Sequence, residues 1–198
     1  NETHQRDKRN DSVFVYINGS LLPRSQALVS VFDSGFLMGD GVWEGLRLHN
    51  GMVAFFEQHL SRLFEGAKAI DLDIGMSRQE LREAVYMTTE ANKMREGVHI
   101  RLMVTRGPKS TPFQGTGVNF GRPTVVVVAE WKEPSPKVIS RGLKLFTVHV
   151  RRGRPDVQDP MWNSHSKLNC VTACIQAEKA GADEGLMLDP QGFVATCN

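Results

Sequence analysis

Cysteine is scarce in this chain: Cys170, Cys174 and Cys197 are the only three among 198 residues. A small scaffold stapled by disulfides needs more of them, so the chain is expected in a reducing compartment, the cytoplasm first and an organelle second. Zinc patterns are missing too. Cys170 and Cys174 lie one helical turn apart, but no Cys/His pair completes a site and no H-E-x-x-H occurs, so they read as buried thiols and no metal is expected. There is no excess charge of one sign: 24 basic against 22 acidic residues leave a formal net charge of +2. That balance argues against a dedicated nucleic-acid binder. No apolar run approaches the roughly 18 residues of a membrane span. The opening NETHQRDKRNDS mixes both signs without the apolar core of a signal peptide, and reads as a solvated, disordered tail over 1–12.

What is present is an ordinary globular composition, 40% hydrophobic and 23% charged, enough for one sizeable core or two small ones. VFVYI (13–17) followed by Asn18-Gly19, and WEGLRLH followed by Asn50-Gly51 and MVAFF, predict two hairpins. Phe56, Leu60, Leu63, Phe64 and Ala67 recur at helical spacing. Ser77 and Glu80 make a capping box, with Met76 placed to staple onto Leu81, for a helix running to about Met94. Residues 98–104 alternate, with Val98, Ile100, Leu102 and Val104 on one face and His99, Arg101 and Met103 on the other. A loop from Gly107 to Pro123 precedes TVVVVAEW, which reads as a fully buried strand. KEPSPK (132–137) has the composition of a linker. Beyond it come a strand in LKLFTVHV, an irregular stretch over 151–166, a helix in LNCVTACIQAEKAG, and two strands, GLMLD and GFVAT, about a Pro-Gln-Gly turn. The class is α+β in two parts.

Few residues announce chemistry by themselves. GFLMGDG (35–41) and GTGVNFG (115–121) lack the G-x-G-x-x-G spacing and read as flexible turns. Arg141, Lys144, Arg151, Arg152 and Arg154 read as a solvated basic face. His99 and Arg101 share a strand face that either meets water or lines an anion-binding cavity, and alternation alone favours water. Lys167 enters a helix from a long irregular loop; lysine spacing says nothing more, although an amine in apolar surroundings can hold an aldehyde as a Schiff base.

FDSGFLMGDGVWEGLRLHNG, EQHLSRL, VHIRLMVTRG, NSHSKLN and AGADEGLMLDPQGFVA, in that order, resemble the class IV aminotransferases, the fold-type IV pyridoxal-phosphate enzymes. Branched-chain and D-amino-acid aminotransferases and aminodeoxychorismate lyase belong there, and the branched-chain-like branch is the nearest. The resemblance implies an N-terminal α+β domain over 13–131, a linker at 132–137, and the first part of a cofactor-binding domain over 138–198, apparently incomplete. It implies pyridoxal 5'-phosphate as cofactor, bound covalently by Lys167, which also shuttles the substrate proton. Arg62 matches the arginine that binds the cofactor phosphate, and Trp43 an aromatic position lining the substrate pocket. Arg101 matches an arginine that receives a substrate carboxylate; His99 stands where branched-chain enzymes have tyrosine. Thr196 stands where the family has a glutamate facing the pyridine nitrogen. The implied activity is transamination of a small branched-chain or D-amino acid with a 2-oxo acid acceptor, by a homodimer without nucleic-acid or membrane partners. The alternatives are a lyase or eliminase on the same scaffold and a catalytically weak cofactor-binding homologue.

Overall fold

Two Asn-Gly pairs turn the chain back on itself early. Asn18 (φ 48°) and Gly19 (φ 96°) join β1 (Phe14–Ile17) to β2 (Ser20–Pro23). Asn50 (φ 50°) and Gly51 (φ 75°) join β3 (Gly41–His49) to β4 (Met52–Val53). All four residues take the positive φ that a two-residue hairpin turn requires.

The computed structural model describes residues 6–197, which divide into two units: 6–133 with 162–166, and 134–161 with 167–197. In the first unit, β5 (Val98–Thr105) and β6 (Thr124–Trp131) complete a six-stranded sheet of order β2-β1-β6-β5-β3-β4, in which every pairing is antiparallel. The short α1 (Ser34–Met38) leads into β3, and α2 (Phe56–Ala69) and α3 (Arg78–Ala91) pack on one sheet face. Their spacing explains the packing. Phe56, Leu60, Leu63 and Ala67 of α2 and Leu81, Ala84 and Val85 of α3 are buried with Val42, Leu46, Leu48, Ile100, Leu102 and Val127 of the sheet. Each large apolar side chain removed from water this way stabilises the unit by roughly 1.5–3 kcal/mol. The Ser77/Glu80 capping box forms in full and Met76 packs against the same core, while α3 stops at Ala91 with Asn92 as its cap, short of Met94.

Three further expectations for the first unit need correction. Residues 8–12, expected in a disordered tail, form a 3₁₀ turn capped by Asp7. The Asn10 side chain exchanges two hydrogen bonds with the Trp131 backbone, at 2.8 and 2.9 Å, and the Arg9 guanidinium lies over the Trp131 ring. Residues 1–5 lie outside the described residues. Nor is β6 buried on both faces: Val125, Val127 and Ala129 point into the core, whereas Val126 and Val128 are half-buried on the opposite face. The 35–41 segment is not a loose turn. Asp33, itself buried, caps α1 and accepts hydroxyl hydrogen bonds from Thr105 and Thr124, and Gly39 (φ 68°) closes α1 in the left-handed region.

The second unit contains α4 (Pro136–Arg141), β7 (Leu145–Thr147), α5 (Pro155–Gln158), α6 (Leu168–Lys179), β8 (Glu184–Leu188) and β9 (Val194–Cys197). β7 pairs parallel with β8, and β9 antiparallel with β8. Ala173 and Ala177 of α6 meet Val148 and Met187 in a small core. The α6 thiols are half-buried rather than buried, and Cys197 is exposed. No helix among the described residues is long and apolar enough to cross a membrane.

Candidate active site

β3 presents two sets of side chains. Val42, Glu44, Leu46 and Leu48 point inward, and Trp43, Gly45 and Arg47 point to the other face. The β3–β5 register sets Gly45 opposite Arg101 and Arg47 opposite His99. Gly45 matters for what it omits: a Cβ there would lie 3.2 Å from His99 Nε2 and 3.5 Å from Trp43 Cζ3. The His99 and Trp43 side chains close over the Gly45 backbone. The Arg101 guanidinium lies 4.0 Å from the centre of the Trp43 ring, a cation–π contact. Burial, reinforced by the positive charges of Lys132, Arg47 and Arg101, pushes the His99 imidazole down to about 4. His99 is therefore neutral at neutral pH. Trp43, His99 and Arg101, singled out in the sequence, come together on one face.

Arg62 is committed differently. From α2 its Nε donates to Glu44 Oε1 at 2.7 Å and its Nη2 to Glu44 Oε2 at 2.6 Å, while His59 Nδ1 lies 2.7 Å from the same Oε2. Glu44 is 1% exposed, Arg62 is 47% exposed, and the hydrogen bonds to Glu44 raise the Arg62 pKa further. A fork of this kind fixes the plane of the guanidinium. Sequence reasoning missed Glu44. Its signal was available, because a carboxylate in the inward set Val42-Glu44-Leu46-Leu48 must have a partner.

The residues just before Lys167 are pinned as well. Trp43 N–H donates to the Asn163 carbonyl at 2.8 Å, its indole N–H to the Ser164 carbonyl at 3.0 Å, and His165 N–H to the Gly41 carbonyl at 3.0 Å. Ser166 Oγ donates to the Gly39 carbonyl at 3.2 Å. Residues 162–166 thus extend the free edge of β3, and burial lowers the pKa of the His165 ring held there. Gly41 has no room for a side chain, since a Cβ would come within 2.7 Å of His165 Cδ2. Lys167, the next residue in the chain, belongs to the second unit and occupies the cap position of α6, where its carbonyl accepts from Val171 N–H at 2.9 Å. Thr196 lies in β9 opposite Met187, its hydroxyl donating to the Cys197 carbonyl at 3.1 Å. No group of three His, Cys, Asp or Glu side chains suited to a metal occurs among the described residues.

Residues 41–198 match the family described as "Amino-transferase class IV". The chain is 39% identical over 181 residues to a putative branched-chain-amino-acid aminotransferase of Methanocaldococcus jannaschii, covering 91% of this chain and 61% of that protein. It is 38% identical over 189 residues to the branched-chain-amino-acid aminotransferase-like protein 1 of Arabidopsis thaliana, covering 96% of this chain and 34% of that protein. The fold is similar to that of the T.th. branched-chain amino acid aminotransferase complexed with N-(5'-phosphopyridoxyl)-L-glutamate. That match has a TM-score of 0.82 at 26% identity, over 94% of this chain and 61% of the other. The chain therefore spans between about a third and two thirds of the proteins it matches.

Proposed function

The chain belongs to the class IV aminotransferases, and on that premise we propose that it serves pyridoxal-phosphate-dependent transfer of an amino group from a small branched-chain or D-amino acid to a 2-oxo acid. The observation that carries this reading is Arg101 laid over Trp43 with His99 beside them, an exposed guanidinium offered to a carboxylate on the sheet face opposite the core. The donor set fits a phosphorylated aldehyde. Lys167 brings a primary amine, and Arg62, whose Nε and Nη2 are taken by Glu44, keeps Nη1 for a phosphate oxygen. When bound, the cofactor supplies an electron-withdrawing ring that stabilises negative charge at the substrate Cα. Lys167 holds the cofactor and moves the Cα proton, Arg101 receives the carboxylate, and Trp43 walls the pocket.

Thr196 supports a second reading. A neutral hydroxyl is less able than a carboxylate to keep a ring nitrogen protonated, which favours elimination from β-substituted substrates over fast transamination. A homodimer fits an exposed apolar strip. Leu28, Val31, Phe32 and Phe36 lie beside the loop carrying Phe113 and Phe120, joined to it where Lys109 N–H donates to the Phe32 carbonyl. Such a strip is the kind of surface that a second copy covers.

Borohydride reduction of the cofactor-loaded protein followed by peptide mapping tests the assignment. The label is expected on Lys167 and absent from Lys167→Ala; label on another lysine overturns it. Bleaching of the cofactor absorbance by an amino acid, with release of the 2-oxo acid, identifies transamination, whereas ammonia release identifies the eliminase.

A further inference from the structure

Both carboxylate oxygens of Glu44 face α2. Oε1 accepts from Arg62 Nε at 2.7 Å, and Oε2 accepts from Arg62 Nη2 at 2.6 Å and from His59 Nδ1 at 2.7 Å. His59 and Arg62 stand one turn apart on the helix, so the carboxylate cannot rotate without breaking bonds to both. The elements that carry these side chains are held as firmly. Glu44 lies opposite Leu102 in the β3–β5 ladder, and Leu60 and Leu63, which flank Arg62 along α2, are 0% and 1% exposed. Gly66, one turn further on, lets α2 come close to β3: a Cβ there would lie 3.4 Å from Val42 Cγ1. Arg62 is thereby fixed through two of its three guanidinium nitrogens, and Glu44 is its only acidic partner among the described residues.

We infer that Glu44 is a positioning residue for the cofactor phosphate and acts through Arg62: the fork turns the remaining nitrogen, Nη1, away from Glu44 and presents it to a phosphate oxygen. The inference rests on the reading that Arg62 takes the cofactor phosphate, and deepens it. Charge and orientation oppose one another here. A carboxylate repels a phosphate dianion, so Glu44 does not help by its charge. What it supplies is order. An arginine free in solvent must be immobilised when an anion binds, and a guanidinium already forked to a buried carboxylate has lost that freedom beforehand. Ordering one such side chain corresponds to about two- to tenfold in affinity.

Pyridoxal, which lacks the phosphate, isolates this contribution. Equilibrium dialysis of the full chain gives the ratio of its affinities for pyridoxal 5'-phosphate and for pyridoxal. A general loosening of the fold weakens both ligands together and does not move that ratio. Glu44→Asp keeps the negative charge but shortens the reach, and Arg62→Lys keeps the positive charge without a fork. Each is expected to lower the ratio about two- to tenfold, and Glu44→Asp is expected to lower it no further once Arg62 is replaced by Ala. An unchanged ratio in Glu44→Asp, or a fall that persists in the Arg62→Ala background, overturns the proposal. Where Glu44→Asp does not fold, an unchanged ratio in Arg62→Lys overturns it. If Arg62→Ala itself leaves the parent ratio intact, the phosphate reading of Arg62 fails and this inference with it. A fall in Arg62→Ala without one in Glu44→Asp overturns this inference alone.

Discussion

Replacing Arg62 by Ala removes two of the three hydrogen bonds that reach a carboxylate only 1% exposed. Stripping a buried charge of its partner costs roughly 3–5 kcal/mol. Two features reduce that figure here. Arg62 is itself 47% exposed, so its charge is partly screened, and His59 remains 2.7 Å from Glu44 Oε2 in the variant's starting geometry. The expected loss is therefore about 2–3 kcal/mol. With a urea slope of about 2 kcal/mol/M, the unfolding midpoint falls by roughly 1–1.5 M. Tryptophan fluorescence reports it, because Trp43, Trp131 and Trp162 all belong to the first unit. The second half of the test is Glu44→Leu in the Arg62→Ala background. Replacing the stranded carboxylate with an apolar side chain should recover most of the loss, giving a coupling energy of about 2 kcal/mol between the two positions. A single variant that costs less than about 0.5 kcal/mol, or a double variant no more stable than the single, refutes the claim that Glu44 depends on Arg62.

Two further outcomes follow from the geometry. Gly41→Ala drives a methyl group against the Val104 carbonyl and the His165 ring, so it should cost roughly 1–3 kcal/mol and speed amide exchange at Trp43 and His165; protection equal to the parent chain would show that 162–166 is held some other way. In the second unit, Arg141 and the Lys144 N–H hold the Asp183 carboxyl down to about 2. A lowered carboxylate contributes stability that is present above its ordinary range near 4 and lost as pH falls toward 2. Asp183→Asn should therefore flatten the acid limb of a circular-dichroism pH titration between about 4 and 2, and superimposable acid limbs for variant and parent would contradict this.

The sequence by itself determined the elements whose causes are local. Asn18-Gly19 and Asn50-Gly51 set two turns through backbone freedom, Ser77 and Glu80 capped α3 through bonds three residues apart, and the alternation over 98–104 put His99 and Arg101 on one face. It also carried the family's motifs in order, and with them the fold and the family to which the chain belongs. What it left undecided lies in pairings across distance. Glu44 and Arg62 are 18 residues apart on a strand and a helix. Trp43 meets Ser164 across 121 residues, and Asn10 meets Trp131 across the same span. Periodicity says that a side chain points inward, but not what waits there. Inward-pointing Glu44 breaks the apolar pattern of β3, and its partners His59 and Arg62 come from α2. The same holds for Lys109, 1% exposed, whose amine donates to Asn119 Oδ1 at 2.9 Å and to the Gly115 carbonyl at 3.3 Å inside what read as open loop. A buried polar group must be paired because desolvation is costly, and only the tertiary structure chooses the partner, because only packing brings distant segments within 3 Å of one another.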